Sequence, residues 1–302
     1  METAGKHTMR INILFCLLLL LGCEPALAQT EVPLTHSKEF QIVLKNDDFL
    51  SRTKGKQRVI DMLQAIEDTE ENDFKYKAGS GNVWDRHVKR YDTNEGRLKA
   101  SNLLLKVEQN TVAGDIRSKL KLKYNCMDAD VCYDTQQQIT DAFPYPARHY
   151  QSVGKIKLEA DIHQNYTKYA LSSAIKVAGA VDFATVGEAT RYFKGLAHVK
   201  GISNSDALIV VDDYYEWMFD DIKLKVNGDR VRGALVVRYA KTDLTTPIRV
   251  EFSLKIKKPK GGWHYDTLVE LGQVYYELLQ SDMNLFKGRI KPGKFYRPAD
   301  YD

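Results

Sequence analysis

Several things are missing from this sequence, and each absence removes a class of function. Its seven histidines are scattered, with no His-x-x-x-His pair or clustered ligand set, so a zinc hydrolase lacks its ligands. There is no Gly-x-Ser-x-Gly elbow to support a serine hydrolase. Neither Gly-x-Gly-x-x-Gly nor a phosphate-loop motif occurs, which argues against dinucleotide-binding and ordinary nucleotide-triphosphatase folds. Charge of one sign is not in large excess: the net charge is +4 with 28% charged residues. Nucleic-acid binding, which calls for a strongly basic domain or patch, is therefore not expected. No apolar run reaches the ~20 residues that a membrane-spanning helix needs. Internal repeats and low-complexity blocks are absent as well.

The longest apolar run is Ile11 to Gly22 (INILFCLLLLLG), preceded by Lys6 and Arg10 and followed by Pro25 and Ala26-Leu27-Ala28. A short apolar segment between basic residues and a small-x-small triplet is the pattern of a secretion signal. Residues 1–28 are thus expected to be a signal peptide and residues 29–37 a polar linker. A β-rich domain is expected over 38–286, with an extended tail over 287–302. Two processing routes remain open. Cleavage after Ala28 would release the chain outside the cytoplasm. Leu20-Leu21-Gly22-Cys23 resembles a bacterial lipobox, and processing there would lipidate Cys23 and tether the chain to a membrane, the one route by which a membrane enters. The expected location is exported, periplasmic or extracellular, with a bacterial lipid anchor only under the second route.

Only Cys126 and Cys132 of the four cysteines lie beyond the signal. Two cysteines at this separation in a polar stretch, in an oxidising compartment, point to a local disulfide rather than a metal site.

Beyond the linker the dominant pattern has period two. In Arg249 to Lys257 (RVEFSLKIK) polar and apolar residues alternate without exception, which sorts them onto the two faces of a strand. The same alternation runs through Phe40–Lys45, Lys119–Lys123 and Lys155–His163. Further strands are expected over Asn102–Glu108, Tyr166–Val177, Ala207–Val211, Ile222–Val226 and Ala234–Tyr239. Helical spacing is rarer: Gln57–Ile66, Tyr265–Gln280 and, more weakly, Gln136–Ala142. Asp182–Leu196 is ambiguous because of Gly187. Asn227-Gly228-Asp229 reads as a hairpin turn. The fold class expected is β-rich α+β, with antiparallel strands and a few flanking helices. The strand faces carry unusual charge, and two readings are open. Either these faces meet water, or the sheet closes into a tunnel-like barrel with a polar interior.

The stretch Arg90-Tyr91-Asp92-Thr93-Asn94-Glu95-Gly96-Arg97-Leu98-Lys99-Ala100-Ser101 continues into Asn102–Glu108 and is followed by Lys119-Leu120-Lys121-Leu122-Lys123. It resembles the CYTH, or triphosphate tunnel, family, in which a Tyr-Asp-Thr element precedes a Leu-Arg-x-Arg strand and a strand ending in Leu-Lys. The resemblance implies an antiparallel tunnel lined by lysine and arginine that cradle a triphosphate or polyphosphate. It also implies acidic residues holding Mg or Mn where there is catalysis. Carried over, Lys45 takes the place of the lysine that ends the Glu-x-Glu-x-Lys motif. Lys106 replaces the first arginine of the next motif, and Lys121 or Lys123 the later lysine. Arg238 is the corresponding ligand-binding residue, and Glu251 the metal-binding one, on the C-terminal strands.

Departures from the pattern bear on the chemistry. Gln41 and Val43 stand where the family has two glutamates, so a divalent ion would lose two carboxylate ligands. Glu108 stands where a second arginine belongs. No cofactor is therefore certain, and metal-dependent hydrolysis would be lost or rebuilt. The aromatic clusters Asp213–Trp217 and Val274-Tyr275-Tyr276 suit either core packing or stacking on a sugar or base. Two functions follow as expectations. One is an exported binder of a polyanionic small molecule, of phosphate or polyphosphate type. The other is a noncatalytic cell-envelope interaction protein or lipoprotein.

Overall fold

A computed structural model describes residues 35–68, 74–78, 83–126, 132, 152–153 and 156–287. The expected secretion signal, most of the expected linker, the weak helix expected at Gln136–Ala142 and the expected tail after Lys287 lie outside these residues.

The period-two segments form long strands: β1 (Ser37–Leu44), β2 (Phe74–Ala78), β3 (Val83–Thr93), β4 (Leu103–Val112), β5 (Asp115–Cys126), β6 (Ser152–Val153), β7 (Lys157–Ile162), β8 (Thr167–Ala178), β9 (Leu208–Val226), β10 (Asp229–Ala240) and β11 (Asp243–Lys257). Neighbours run β10-β11-β1-β7-β8-β5-β4-β3-β9, and β9 pairs back onto β10. Among the described residues these strands close a barrel, which removes its free edges. β2 and β6 hang outside the ring on β9 and β8. All ring pairings are antiparallel except β1 with β7, so the barrel is mixed rather than purely antiparallel. A parallel pair needs a long crossover, and these two strands are separated by most of the first half of the chain.

Two strand expectations need correction. Ala207–Val211 and Ile222–Val226 are the ends of one strand, β9, with a register shift near Ile222. β3 was not among the expected strands. Its sequence, VWDRHVKRYDT, places charge on both faces, Asp85 and Lys89 on one and Arg86 and Arg90 on the other, which masks the usual apolar alternation.

Helices α1 (Arg52–Glu67), α2 (Arg97–Ala100), α3 (Val186–Thr190) and α4 (Tyr265–Gln280) flank the barrel. α1 starts at Ser51, whose side chain accepts from the Lys54 amide. The ambiguous Asp182–Leu196 segment becomes α3 and a 3-10 turn at Lys194–His198. The β9–β10 hairpin turns on Asn227 and Gly228, with φ of 45° and 86°. Positive φ at both central residues matches the twist of the flanking strands.

The apolar core lies outside the barrel wall. Phe40, Ile42 and Leu44 of β1 point away from the tunnel and share one cluster with Val59 and Leu63 of α1 and Leu271, Tyr275 and Leu278 of α4. On the opposite side Leu105, Val107, Leu120 and Leu122 pack with Phe183, Val186, Phe193 and Leu196. Because strand residues alternate, burying one face against helices turns the charged face inward.

Cys126 and Cys132 are placed as a disulfide would place them, with Cα atoms 5.4 Å apart.

Candidate functional site

The inward faces of the strands carry a connected belt of ion pairs. Glu108 on β4 is 4% exposed and Glu216 on β9 is 1% exposed, so neither carboxylate is hydrated as a surface acid would be. Glu108 Oε1 accepts from Lys121 Nζ at 2.6 Å and lies 2.7 Å from Lys106 Nζ. Its Oε2 is 3.2 Å from Arg86 Nη1. The other side of the Arg86 guanidinium meets Glu216 Oε2 at 2.6 Å, and Glu216 Oε1 accepts from Arg238 Nε at 3.1 Å. Arg238 Nη2 then reaches Glu251 Oε2 at 2.7 Å, and Arg249 Nη2 holds Glu251 Oε1 at 2.8 Å. Alternating charges thus run from β5 through β4, β3, β9 and β10 to β11.

On the remaining arc, Lys255 Nζ donates to Glu39 Oε2 and Glu159 Oε1, both at 3.0 Å. Lys123 Nζ lies 3.6 Å from Glu159 Oε2 and 3.5 Å from Asp161 Oδ2. Ser172 of β8 donates to Glu159 Oε2 at 2.9 Å. Every strand of the ring therefore contributes to the belt.

The two arcs differ in electrostatics. Around Glu108, the cations Arg86, Lys106 and Lys121 crowd one carboxylate, and Lys119 stands directly opposite it in the β4–β5 register. Burial and the neighbouring Lys121 push Lys119 down to about 8, with Glu108 only partly compensating. Burial likewise pushes Lys121 down to about 8, with Lys106 and Arg86 adding to the shift. Burial also lowers the pKa of Lys106 against the pull of Glu108. Burial works against the charge on Glu108, yet Lys106, Lys121 and Arg86 outweigh it and hold its pKa well below the ordinary value. The balance reverses on the other arc. There burial opposes the charge on Lys123, but Asp161 and Glu159 raise its pKa. Glu159 is held at about 2 by Lys255 and Lys123 in spite of its burial. One wall of the tunnel is rich in positive charge, and the facing wall sets Glu39, Glu159 and Asp161 against Lys255, Lys123 and Lys168.

Lys106, Lys121, Lys123 and Arg238, all singled out by sequence, come together inside the barrel. Lys45 does not join them; it is exposed beyond the end of β1, where its amide donates to Met283 O at 2.9 Å. Glu251 faces inward between Arg238 and Arg249. Gln41 and Val43 share the inward face of β1, opposite Ser253 and Glu251. Sequence reasoning missed Arg86, Lys119, Glu216, Glu39, Glu159, Asp161 and Lys255 as belt members. A signal was present: charged or polar residues at every second position in KIKLEADIH, KLKLK and RVEFSLKIK mark the tunnel face. The Tyr91-Asp92-Thr93 element is structural. Asp92 accepts from the amides of Thr93, Leu98 and Lys99, fixing the turn into α2, and Tyr91 donates its hydroxyl to Asp182. Of the aromatic cluster, Trp217 belongs to the outer core, while the Tyr214 ring lies under the Arg238 guanidinium at 5.3 Å.

A divalent metal does not fit the donor set. Among the described residues no group of three or more His, Cys, Asp or Glu is arranged to hold a metal ion. Each interior carboxylate of the belt has an ammonium or guanidinium against at least one oxygen, and both oxygens of Glu251 are held by arginine.

No family model and no curated protein matches the chain. Among solved structures it is similar to a Hippeastrum protein described as having a dominant triphosphatase activity, at 10% identity and a TM-score of 0.37, covering 74% of this chain and 80% of that one. It is also similar to a Bacillus halodurans protein described as a candidate adenylate cyclase (9% identity, TM-score 0.35, 88% and 97% covered). A third is an RNA triphosphatase of S. pombe (11% identity, TM-score 0.26, 91% and 91% covered). The closed barrel and its charged interior, rather than likeness at this level, define the class: a tunnel-type β-barrel with an ion-pair belt.

Proposed function

We propose that this protein binds a polyanionic small molecule of phosphate or polyphosphate type inside the barrel, against the β3–β4–β5 wall. The observation that carries the reading is the gathering of Arg86, Lys106, Lys119 and Lys121 around a single carboxylate, Glu108. Enclosed excess positive charge is unfavourable on its own and becomes favourable when an anion enters. Solvent still reaches the site: the Lys121 side chain is 23% exposed although protein surrounds it. We assign the protein no reaction. The run Ile11–Gly22 and the cysteine pair support a place outside the cytoplasm, as part of the same proposal.

Calorimetric titration with tripolyphosphate tests the reading. Binding that weakens as salt rises is expected, because phosphate contacts with lysine and arginine are screened. Absence of heat and of any thermal stabilisation at low salt would overturn it.

A second reading, a partner-binding envelope protein, has its own support. β10 pairs with β9 only as far as Tyr214, while β3 follows β9 on to Leu208. Among the described residues, no strand pairs with the other edge of β9 over Ile209–Asp213, and Ile209, Val210 and Val211 are exposed there. An apolar strand edge of this kind accepts an added strand. Crosslinking that captures a partner from wild type but not from Val210→Lys, with no response to tripolyphosphate, would favour this reading.

A further inference from the structure

We infer that Lys255 is a built-in cation which excludes a resident divalent metal from the carboxylate-bearing wall of the tunnel. Its Nζ sits between Glu39 of β1 and Glu159 of β7, 3.0 Å from one oxygen of each. Asp161 lies directly opposite Glu39 in the β1–β7 register, so three carboxylates from two adjacent strands converge on this arc. Asp161 is 7% exposed, and its Oδ1 has no hydrogen-bond partner among the described residues. The arc therefore holds a spare buried acceptor. Without Lys255, three carboxylates would be left with two ammonium groups: Lys123, at 3.5 Å from Asp161 and 3.6 Å from Glu159, and Lys168, directly opposite Asp161 in the β7–β8 register.

Geometry distinguishes an ammonium seat from a metal seat. Magnesium binds oxygen at about 2.0–2.1 Å and calcium at about 2.3–2.6 Å. The oxygens around Nζ stand at hydrogen-bond length, and a divalent ion would have to evict the ammonium and draw the carboxylates inward. A lysine tethered to β11 cannot diffuse away, so a free ion competes with a local charge that is always present. This inference goes beyond the anion-binding proposal and does not depend on it.

The test uses the whole protein and Mn2+ alone. Manganese binding is followed by electron paramagnetic resonance in wild type, Lys255→Met and Lys255→Arg, with circular dichroism to confirm folding. Lys255→Met is expected to bind Mn2+ at least about tenfold more tightly than wild type and to gain thermal stability on adding it. Lys255→Arg, which restores a fixed cation, is expected to behave as wild type does. Tight Mn2+ binding by wild type would overturn the inference, whatever becomes of the variants. So would a folded Lys255→Met that gains no affinity. Failure of tripolyphosphate to bind would sink the anion proposal while leaving this one standing.

Discussion

Lys121 Nζ donates to Glu108 Oε1 at 2.6 Å on the diagonal of the β4–β5 ladder, while the residue directly opposite Glu108 is Lys119. Glu108 is thus a tethered anion in a cationic cluster, at the position proposed for the phosphate. Its removal should act on ligand affinity and on stability in opposite directions. Glu108→Gln is expected to raise tripolyphosphate affinity about tenfold, measured by calorimetry, since the ligand no longer competes with an internal carboxylate. The same change should lower Tm, because leaving buried charges unpaired costs about 3–5 kcal/mol.

Lys119 and Lys121, both pushed down to about 8 from an ordinary 10.5, give the tunnel a pH response at mildly basic pH. The unfolded chain keeps these protons up to the ordinary lysine value and so binds more of them between pH 8 and 10.5. Folding stability from these two groups therefore rises with pH across that window. Anion affinity moves the other way, falling as the ammonium groups lose their protons above pH 8. Titrations at pH 8 in buffers of different ionisation enthalpy should show net proton uptake on binding. A pH-independent affinity between 7 and 9.5 would contradict the assignment of these lysines to the site.

Acid should act through the carboxylates. Glu159 sits at about 2 in the folded state against an ordinary 4.5, and Glu39, Glu216 and Glu251 are also lowered, by cations that outweigh their burial. Their stabilising contribution is fully present above 4.5 and is lost as pH falls from there toward 2. Thermal melts over this range should show a steep drop in Tm. The drop should be shallower in Glu159→Gln, which starts from a lower stability at pH 7.

Arg86 bridges Glu108 and Glu216, whereas Lys45 is exposed and away from both. Arg86→Met should weaken tripolyphosphate binding at least about tenfold and lower Tm, because two buried carboxylates lose a shared partner. Lys45→Ala should leave affinity and Tm unchanged within error. Equal effects of the two substitutions would count against the β3–β4–β5 wall as the binding site.

The sequence located most strands because alternation is a local property. KIKLEADIH, KLKLK and RVEFSLKIK fall within or across β7, β5 and β11, and Tyr265–Gln280 matches α4. β3 escaped notice because Asp85, Arg86, Lys89 and Arg90 fill positions that a simpler sheet would give to apolar or weakly polar groups. Lys106, Lys121, Lys123 and Arg238 were legible because a family resemblance pointed at their strands. Their partners were not, since Glu108 and Arg86 are 22 residues apart and Arg86 and Glu216 are 130 apart.

Strand period, turn residues and the two apolar helix faces were therefore written in the chain itself, because each depends on neighbours a few positions away. Which face of each strand turns inward was decided only when α1 and α4 on one side, and α3 with the turn that follows it on the other, covered the apolar face of the closed sheet. From that one choice follow the buried belt, the depressed lysines and the unequal charge of the two walls. Each of these depends on distances between residues far apart along the chain.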